Sequence, residues 1–340
     1  MSIVVVSAYF NFFERVSRSI NYSKFRKKIL EENIPLITVA LEKENTPRLA
    51  PEANESIVSI PHAGILWQKE ALWQRGILEA RKMGFKKVLC LDGDVYFPQK
   101  GALKLISEHL DYYEILHPWD LSLHAYEDGT WNMRKSIIQI FEEFGNVRSY
   151  QMSGSYIQDL QKVVELSKAH NIGCSDRSQI RNSDDKVLSS PGYGIGLSQR
   201  ALASFEFYPY AIVGGGDLIN LGLMYFALKY PHENIESLYT NHLVEKTKWT
   251  PQTYKESFCR WIEKEVKKNS YKMGAAAGIN IVSLSHGVLE NRKYHNRLRM
   301  LELDFSDELF IKSPEGALDW KDPDSPFAQG IKRYFIERND

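Results

Sequence analysis

Residues 88–97 read VLCLDGDVYF. Four apolar residues of the kind that fills a buried strand run into two aspartates, Asp92 and Asp94, with only Gly93 between them. Paired carboxylates at a strand end supply hard oxygen donors, the ligands that suit Mg2+ and Mn2+. A cation held there can bridge a diphosphate and neutralise it as it leaves. The plainer alternative is a solvated turn, where Asp is common; the apolar run that leads straight into the pair favours the ligand reading. His286 closes a second apolar run, NIVSLSH, at 280–286. A neutral imidazole at a strand end can ligate a transition metal or make a structural hydrogen bond. Asp217 follows three glycines in VGGGD, 213–217. Glycine lets a backbone approach a ligand closely. The acid after it either caps a helix or points into a cleft as general base for an acceptor hydroxyl.

These residues need elements to hold them. Residues 3–8, IVVVSA, form a short β-branched strand, and a helical stretch follows at about 21–33. Residues 35–42 and 55–60 read as further strands. Residues 66–83, LWQKEALWQRGILEARKM, carry apolar side chains at helical spacing. The strand at 86–92 then delivers the aspartate pair. Strand, helix, strand, helix, strand predicts a parallel, βα-wound sheet, and such sheets bind ligands at the carboxyl ends of their strands. Further along, 133–144 and 158–170 read as helices, 175–186 as a polar loop, and 191–202 as a glycine-rich strand entering a helix. Residues 211–228 read as a short strand, a glycine turn and a helix, 279–287 as a strand, and about 290–303 as a basic helix. The last 37 residues or so read as loop-rich.

The chain has 340 residues, 43 basic and 43 acidic, so no global field recruits nucleic acid or membrane. Locally the balance shifts. Residues 245–299 hold twelve Lys and Arg against five Asp and Glu, and the tail from Met300 holds ten acids against five bases. Solvated helix faces explain such runs; a basic wall facing a phosphorylated ligand is the other reading. Three cysteines, Cys90, Cys174 and Cys259, show no CxxC spacing, so neither a disulfide framework nor a zinc site is expected, and Cys90 reads as core. The start MSIVVVSAYF lacks the features of a signal peptide, and no run of about 18 apolar residues exists. The expectation is a soluble cytoplasmic protein.

Taken together the motifs resemble the nucleotide-sugar-dependent glycosyltransferases of the GT-A fold, most closely the galactosyltransferase-like branch and related bacterial and phage enzymes. WQKEALWQRG (67–76) resembles the family helix from which a basic residue, here Lys69, reaches the donor diphosphate. DGD (92–94) matches the family's D-x-D, in which the second acid binds metal and the first lies near the ribose. VGGGD matches the glycine turn that carries the proposed base of inverting members. Many relatives have Gly-Gly-Glu-Asp there, and Gly216 stands in place of the Glu. SHGVLENRKYHNR (285–297) resembles the late segment that supplies a metal-binding His.

The resemblance implies an α/β fold with a mixed, mostly parallel central sheet flanked by helices. It implies a domain over 1–300, with a nucleotide-binding half at 1–100 and an acceptor and catalytic half at 101–300, and an extension at 301–340 packed on it. Ala8, Tyr9 and Phe10 would bound the base and ribose, with Lys69, Asp92, Gly93, Asp94, Tyr193, Gly215 and Gly216 around the donor. Asp94 and His286, with Asp92, would hold Mn2+ or Mg2+, and Asp217 would be the base. The donor would be a nucleoside-diphosphate sugar, UDP-linked above all. The acceptor hydroxyl would lie on a glycan, a lipid-linked glycan, a protein or modified DNA. Tyr193 shapes the sugar pocket or simply packs. Trp67 and Trp73 read as core rather than sugar platforms, and Arg292 and Arg297 as exposed helix charges, with contact to phosphate as the alternative.

Three rival readings remain. VLCLDGDV also fits the haloacid-dehalogenase pattern, with Asp92 as a phosphorylated nucleophile. That motif normally opens its fold, however, and GGGDLINLG lacks the second late acid the pattern needs. A glycoside hydrolase needs carboxylates that flank a bond, which two acids on one strand end do poorly. A non-catalytic nucleotide-sugar or glycan-binding module would tolerate Asp217→Asn.

Overall fold

The computed structural model describes residues 3–42, 49–61, 64–126, 130–144, 150–151, 165, 186–242, 250–285, 297–302 and 305–338. The chain opens with β1 (Ile3–Tyr9), α1 (Val16–Glu31), β2 (Leu36–Glu42), β3 (Glu55–Pro61), α2 (Lys69–Lys82) and β4 (Lys87–Leu91). Ile3 to Ser7 of β1 are fully buried, as a strand covered on both faces must be. β1 pairs in parallel with β2 and with β4, and β2 with β3. The βα winding expected from the sequence is therefore present.

The middle of the chain supplies β5 (Val95–Tyr96), α3 (Ala102–Tyr112), β6 (Ile115–His117), β7 (Leu121–Ala125), β8 (Trp131–Ser136), α4 (Ile137–Phe144), β9 (Tyr150–Gln151), β10 (Lys186–Ser190), β11 (Gly194–Leu197) and α5 (Gln199–Ser204). A π-helical turn, Leu218–Leu223, leads into α6 (Met224–Lys229), followed by α7 (Ile235–His242), α8 (Gln252–Lys268), β12 (Met273–Ala275) and β13 (Asn280–Ser283). The main sheet has the order β12-β6-β11-β4-β1-β2-β3. Only β11 runs against its neighbours. The fold class is thus α/β with a mixed, mostly parallel sheet flanked by helices. A second sheet, β5-β13-β7-β8-β10-β9, carries the end of β13 to the aspartate pair.

Glycine sets how closely α2 lies on this sheet. A Cβ at Gly76 would stand 2.3 Å from Val6 Cγ1 and 3.1 Å from Val39 Cγ2. A mid-helix glycine costs about 1 kcal/mol relative to alanine, and the close approach of helix to strand requires it. Gly76→Ala is expected to lower stability by about 1–3 kcal/mol through overpacking, read as the midpoint of urea unfolding; an unchanged midpoint would refute the contact.

Three segments differ from expectation. Residues 131–136 are a strand and only Ile137–Phe144 are helix, because Trp131 and Met133 alternate with more exposed residues at a period of two. Residues 211–213 form a turn rather than a strand, since Gly214 and Gly215 take positive φ and bend the chain at once. The tail is not loop-rich. It forms two 3-10 turns (Arg297–Glu302 and Asp307–Leu309), the hairpin β14 (Phe310–Lys312) with β15 (Leu318–Trp320), and α9 (Pro326–Glu337). Ser325 caps α9, its Oγ accepting from the Ala328 N–H, and Pro326 occupies the first turn. Phe327, Ile331 and Phe335 join Val4, Val6 and Trp73 in one apolar core. Full burial of such side chains contributes roughly 1.5–3 kcal/mol each. Of the basic helix expected over 290–303, the described part is the 3-10 turn Arg297–Glu302. The helix expected over 158–170, the loop over 175–186, Cys174 and Arg292 lie outside the described residues, residue 165 excepted. Cys90 is buried as expected. Among the described residues no helix is long and apolar enough to cross a membrane.

Candidate active site

β4 ends in the aspartate pair, and both neighbours help hold the turn. Ser7 at the end of β1 pairs with Leu91, and its hydroxyl donates to the Leu91 carbonyl at 3.0 Å. Ala8 and Tyr9 therefore extend β1 beyond the end of β4, still paired with Val39 and Ala40 of β2, on the side where Asp92 and Gly93 follow. On the other side the Asp92 N–H donates to the Tyr193 carbonyl at 3.0 Å. Tyr193 takes φ +78°, a left-handed backbone rare outside glycine. Gly93 is required for a different reason: a Cβ there would stand 2.6 Å from the Tyr22 ring. Tyr22 cannot yield, since its hydroxyl is hydrogen-bonded to Thr38 at 2.7 Å and its ring is stacked on Tyr9, centroids 4.4 Å apart.

Asp94 faces the second sheet. Its carbonyl accepts the Leu284 N–H at 2.8 Å, and the Ser285 carbonyl accepts from Asn21 Nδ2 at 2.7 Å. The late strand thus runs up to the aspartate pair. His286, the expected metal ligand, lies outside the described residues.

α2 starts at the same place. Its entry is tied on two sides: the Trp67 N–H donates to the Ile212 carbonyl at 2.9 Å, and Gln68 Oε1 accepts the Leu318 N–H at 3.0 Å. Lys69, the first residue of the helix, sends its ammonium to two carboxylates. Its Nζ donates to Asp92 Oδ1 at 2.9 Å and to Asp217 Oδ1 and Oδ2 at 2.8 and 2.9 Å. The side chain is 7% exposed, against 23% for Asp92 and 18% for Asp217, and it lies 4.5 Å from the Trp73 ring centroid. Burial works against the charge, but Asp217, then Asp92 and then Glu70 outweigh it, so Lys69 stays protonated well beyond its ordinary range. The structure joins Lys69 to the two acids, where the resemblance implied contact with a diphosphate.

Asp217 sits after the turn at Gly214 and Gly215, whose φ values are +87° and +94°. It makes no capping hydrogen bond to the helix that follows, which decides against the capping alternative. Its carboxylate is committed to Lys69 and points toward the sheet edge. Buried Asn220 fixes the turn, donating from Nδ2 to the Gly216 carbonyl at 2.8 Å and accepting the Tyr208 N–H at 2.7 Å. A Cβ at Gly192 would lie 3.7 Å from Asp217 Oδ2, so the neighbouring chain leaves space at this acid. The Gly192 carbonyl accepts from Trp119 Nε1 at 3.0 Å and from His117 Nε2 at 3.1 Å. A carbonyl only accepts, so His117 carries its proton on Nε2, and Nδ1 accepts from the Ser136 hydroxyl at 2.7 Å. Burial lowers His117 to about 3, against the Gly192 carbonyl, which keeps the ring neutral.

Two contacts of the centre escaped the sequence reading. Glu70 is buried beside Lys69. Burial pushes its carboxyl up, Lys69 opposes and Asp217 adds, to about 8. Arg297, expected as an exposed helix charge or a phosphate contact, lies over the glycine turn: Cβ atoms at Gly214 and Gly215 would stand 3.3 and 3.1 Å from its guanidinium. No spacing signals either contact, because each joins segments distant in sequence. Asp92 is raised to about 6, by burial first, with Lys69 opposing and Asp217 and Asp94 adding. Trp73 is core, and Trp67 is packed against it.

Three carboxyls, those of Glu70, Asp92 and Asp217, therefore gather around one buried ammonium, with Asp94 next to Asp92. Among the described residues no three His, Cys, Asp or Glu side chains are grouped as ligands of one ion. The donor set fits a hard cation held by one or two carboxylates and completed by phosphate oxygens, the habit of Mg2+. A cleft of about 700 Å³ lined by Lys86, Lys87, Arg200 and Lys272 contains none of these residues and lies at the opposite, amino edge of the sheet, where β4 begins.

No family model matches the sequence, and comparison with curated proteins gave no match. Among solved structures the chain is similar to one described as a nucleotide-diphospho-sugar transferase from Desulfovibrio desulfuricans G20. The identity is 7% over 98% of this chain and 95% of that one, with a TM-score of 0.30. Glucosyl-3-phosphoglycerate synthase from Mycobacterium tuberculosis, in complex with Mn2+, UDP and phosphoglyceric acid, is 14% identical over 67% of this chain and 64% of that one, with a TM-score of 0.31. Mannose-1-phosphate geranyltransferase from Thermus thermophilus is 12% identical over 84% and 74%, with a TM-score of 0.28. At these identities and TM-scores no activity passes from those proteins to this chain, and its fold class rests on its own strand order.

Proposed function

We propose that the chain is a metal-dependent, inverting glycosyltransferase that moves a sugar from a nucleoside-diphosphate donor, UDP-linked above all, to an acceptor hydroxyl. The observation that carries this reading is the Lys69 bridge. It brings the acid of the D-G-D turn and the acid of the glycine turn to one point at the carboxyl edge of a mostly parallel sheet, where such sheets bind ligands.

In this reading Ala8 and Tyr9, beside the D-G-D turn, bound the nucleoside, and Tyr193 and Gly192 border the sugar. Lys69 orients both carboxylates and brings a positive charge to the side on which the donor's diphosphate would lie. Asp217 takes the proton from the acceptor hydroxyl. The hydroxyl oxygen bonds to the anomeric carbon as the bond from that carbon to the diphosphate oxygen breaks, its electron pair leaving with the phosphate. One displacement inverts the configuration. Mn2+ or Mg2+, held by Asp94 with Asp92 and His286, would offset the charge growing on the leaving group.

The test is a screen of UDP-, GDP- and TDP-sugars, each with and without Mn2+ or Mg2+, read as thermal stabilisation and slow donor hydrolysis. A ligand at 100 times its Kd adds about 2.7 kcal/mol, a shift readily resolved. Asp94→Asn is expected to keep the fold and lose the metal-dependent part of that shift. No stabilisation by any sugar nucleotide with either metal would overturn the reading.

A further inference from the structure

Glu70 has no part in the steps above, yet the fold invests in it. An acid in the first turn complements the helix macrodipole, and an exposed one would do so freely. Glu70 is instead 1% exposed, and its carboxyl has no hydrogen-bond partner beyond its own backbone N–H. An unpartnered buried polar group is destabilising. What the carboxyl does have is a seat. A Cβ at Gly216 would stand 2.1 Å from Glu70 Oε1 and 2.3 Å from its Cδ. Glu70 therefore fills the space that any side chain at position 216 would need, one residue before Asp217. The Arg297 guanidinium lies against Gly214 and Gly215 of the same turn. Glu70 and Arg297 between them leave the turn little room to move.

We propose that Glu70 is a positioning residue: its carboxyl, seated in the space Gly216 leaves, sets where Asp217 and the Lys69 ammonium stand. This rests on the reading of Asp217 as the base.

The test uses full-length variants and a donor found in the screen. Glu70→Gln keeps the shape of the neutral carboxyl. It fills the same seat and is expected to leave kcat near the wild-type value. Glu70→Ala empties the seat and should lower kcat about 10–100-fold, with donor KM little changed. Gly216→Glu in the Glu70→Ala background returns a carboxyl to the same space from the other side and should restore most of kcat. An unchanged kcat in Glu70→Ala, or a kcat in Glu70→Gln that falls as far as in Glu70→Ala, would overturn the proposal.

A second readout needs no turnover. The thermal shift produced by the donor should be nearly the same in Glu70→Ala as in the wild type, because the seat sets the base and not the nucleoside contacts. If Asp217→Asn kept full turnover while Glu70→Ala still lowered kcat and Gly216→Glu restored it, the base reading would fall and the seat would stand. If Asp217→Asn lost turnover while Glu70→Ala kept it, the base reading would stand and this proposal would fall.

Discussion

Replacing Asp217 with Asn is expected to lower kcat by about 10²–10⁴-fold, the usual contribution of a general base, while leaving donor binding intact. The substitution is nearly isosteric. The Asn220 bonds that fix the turn do not involve the 217 side chain, and Asn Oδ1 can still accept one of the three Lys69 donors. The amide, however, cannot take up the acceptor proton. Because Asp217 makes no capping bond, a purely structural role predicts little change in rate. Initial rates with a donor from the screen, beside the thermal shift that the same donor produces in the variant, separate the two. Turnover within tenfold of wild type would rule out Asp217 as the base.

The second large effect lies with Lys69. Lys69→Met keeps the unbranched stem and its packing near Trp73 but removes the ammonium. Asp92, Asp217 and Glu70 then share a buried place without a countercharge. Breaking a buried ion pair by deleting one partner costs about 3–5 kcal/mol, because a desolvated charge is left behind. Urea unfolding at pH 7 should show a loss of that order. The sign with pH follows from the acids that remain. Asp92 is already raised to about 6, and losing Lys69 raises its folded value further. The penalty is present where the unfolded acid is charged and is relieved as pH falls through the folded value, so the gap between variant and wild type should narrow as pH falls from neutrality to about 6, where the wild-type acid takes up its proton as well. A loss under about 1 kcal/mol at pH 7, or a gap that widens in acid, would mean that the three carboxyls are better solvated than their burial implies.

Much of the architecture was legible in the residues. β1 and β4 declare themselves as short β-branched or apolar runs. Their covered positions leave no alternation to read, so the helix between them had to supply the parallel winding. The aspartate pair was visible because a buried run ends on it. β8 was misread because 133–144 begins with residues that suit either period, and pairing with β7 decided it. The tail was misread despite an N-cap serine and a following proline, Ser325 and Pro326, which mark a helix start in plain sight.

What the sequence by itself determined is the set of local facts: which runs are strands, where α2 carries its apolar face, and that Asp92, Asp94 and Asp217 stand at breaks in apolar segments. Periodicity and backbone preference act over a few residues, so they can be read from a few residues. What only the tertiary structure decided is which of these groups meet. Lys69 joins Asp217 across 148 residues, and Glu70 takes the space of a side chain that Gly216 does not have. Such contacts depend on how two elements cross the same sheet edge, and on low-dielectric burial that gives one ammonium authority over several carboxyls, and neither leaves a trace in local spacing.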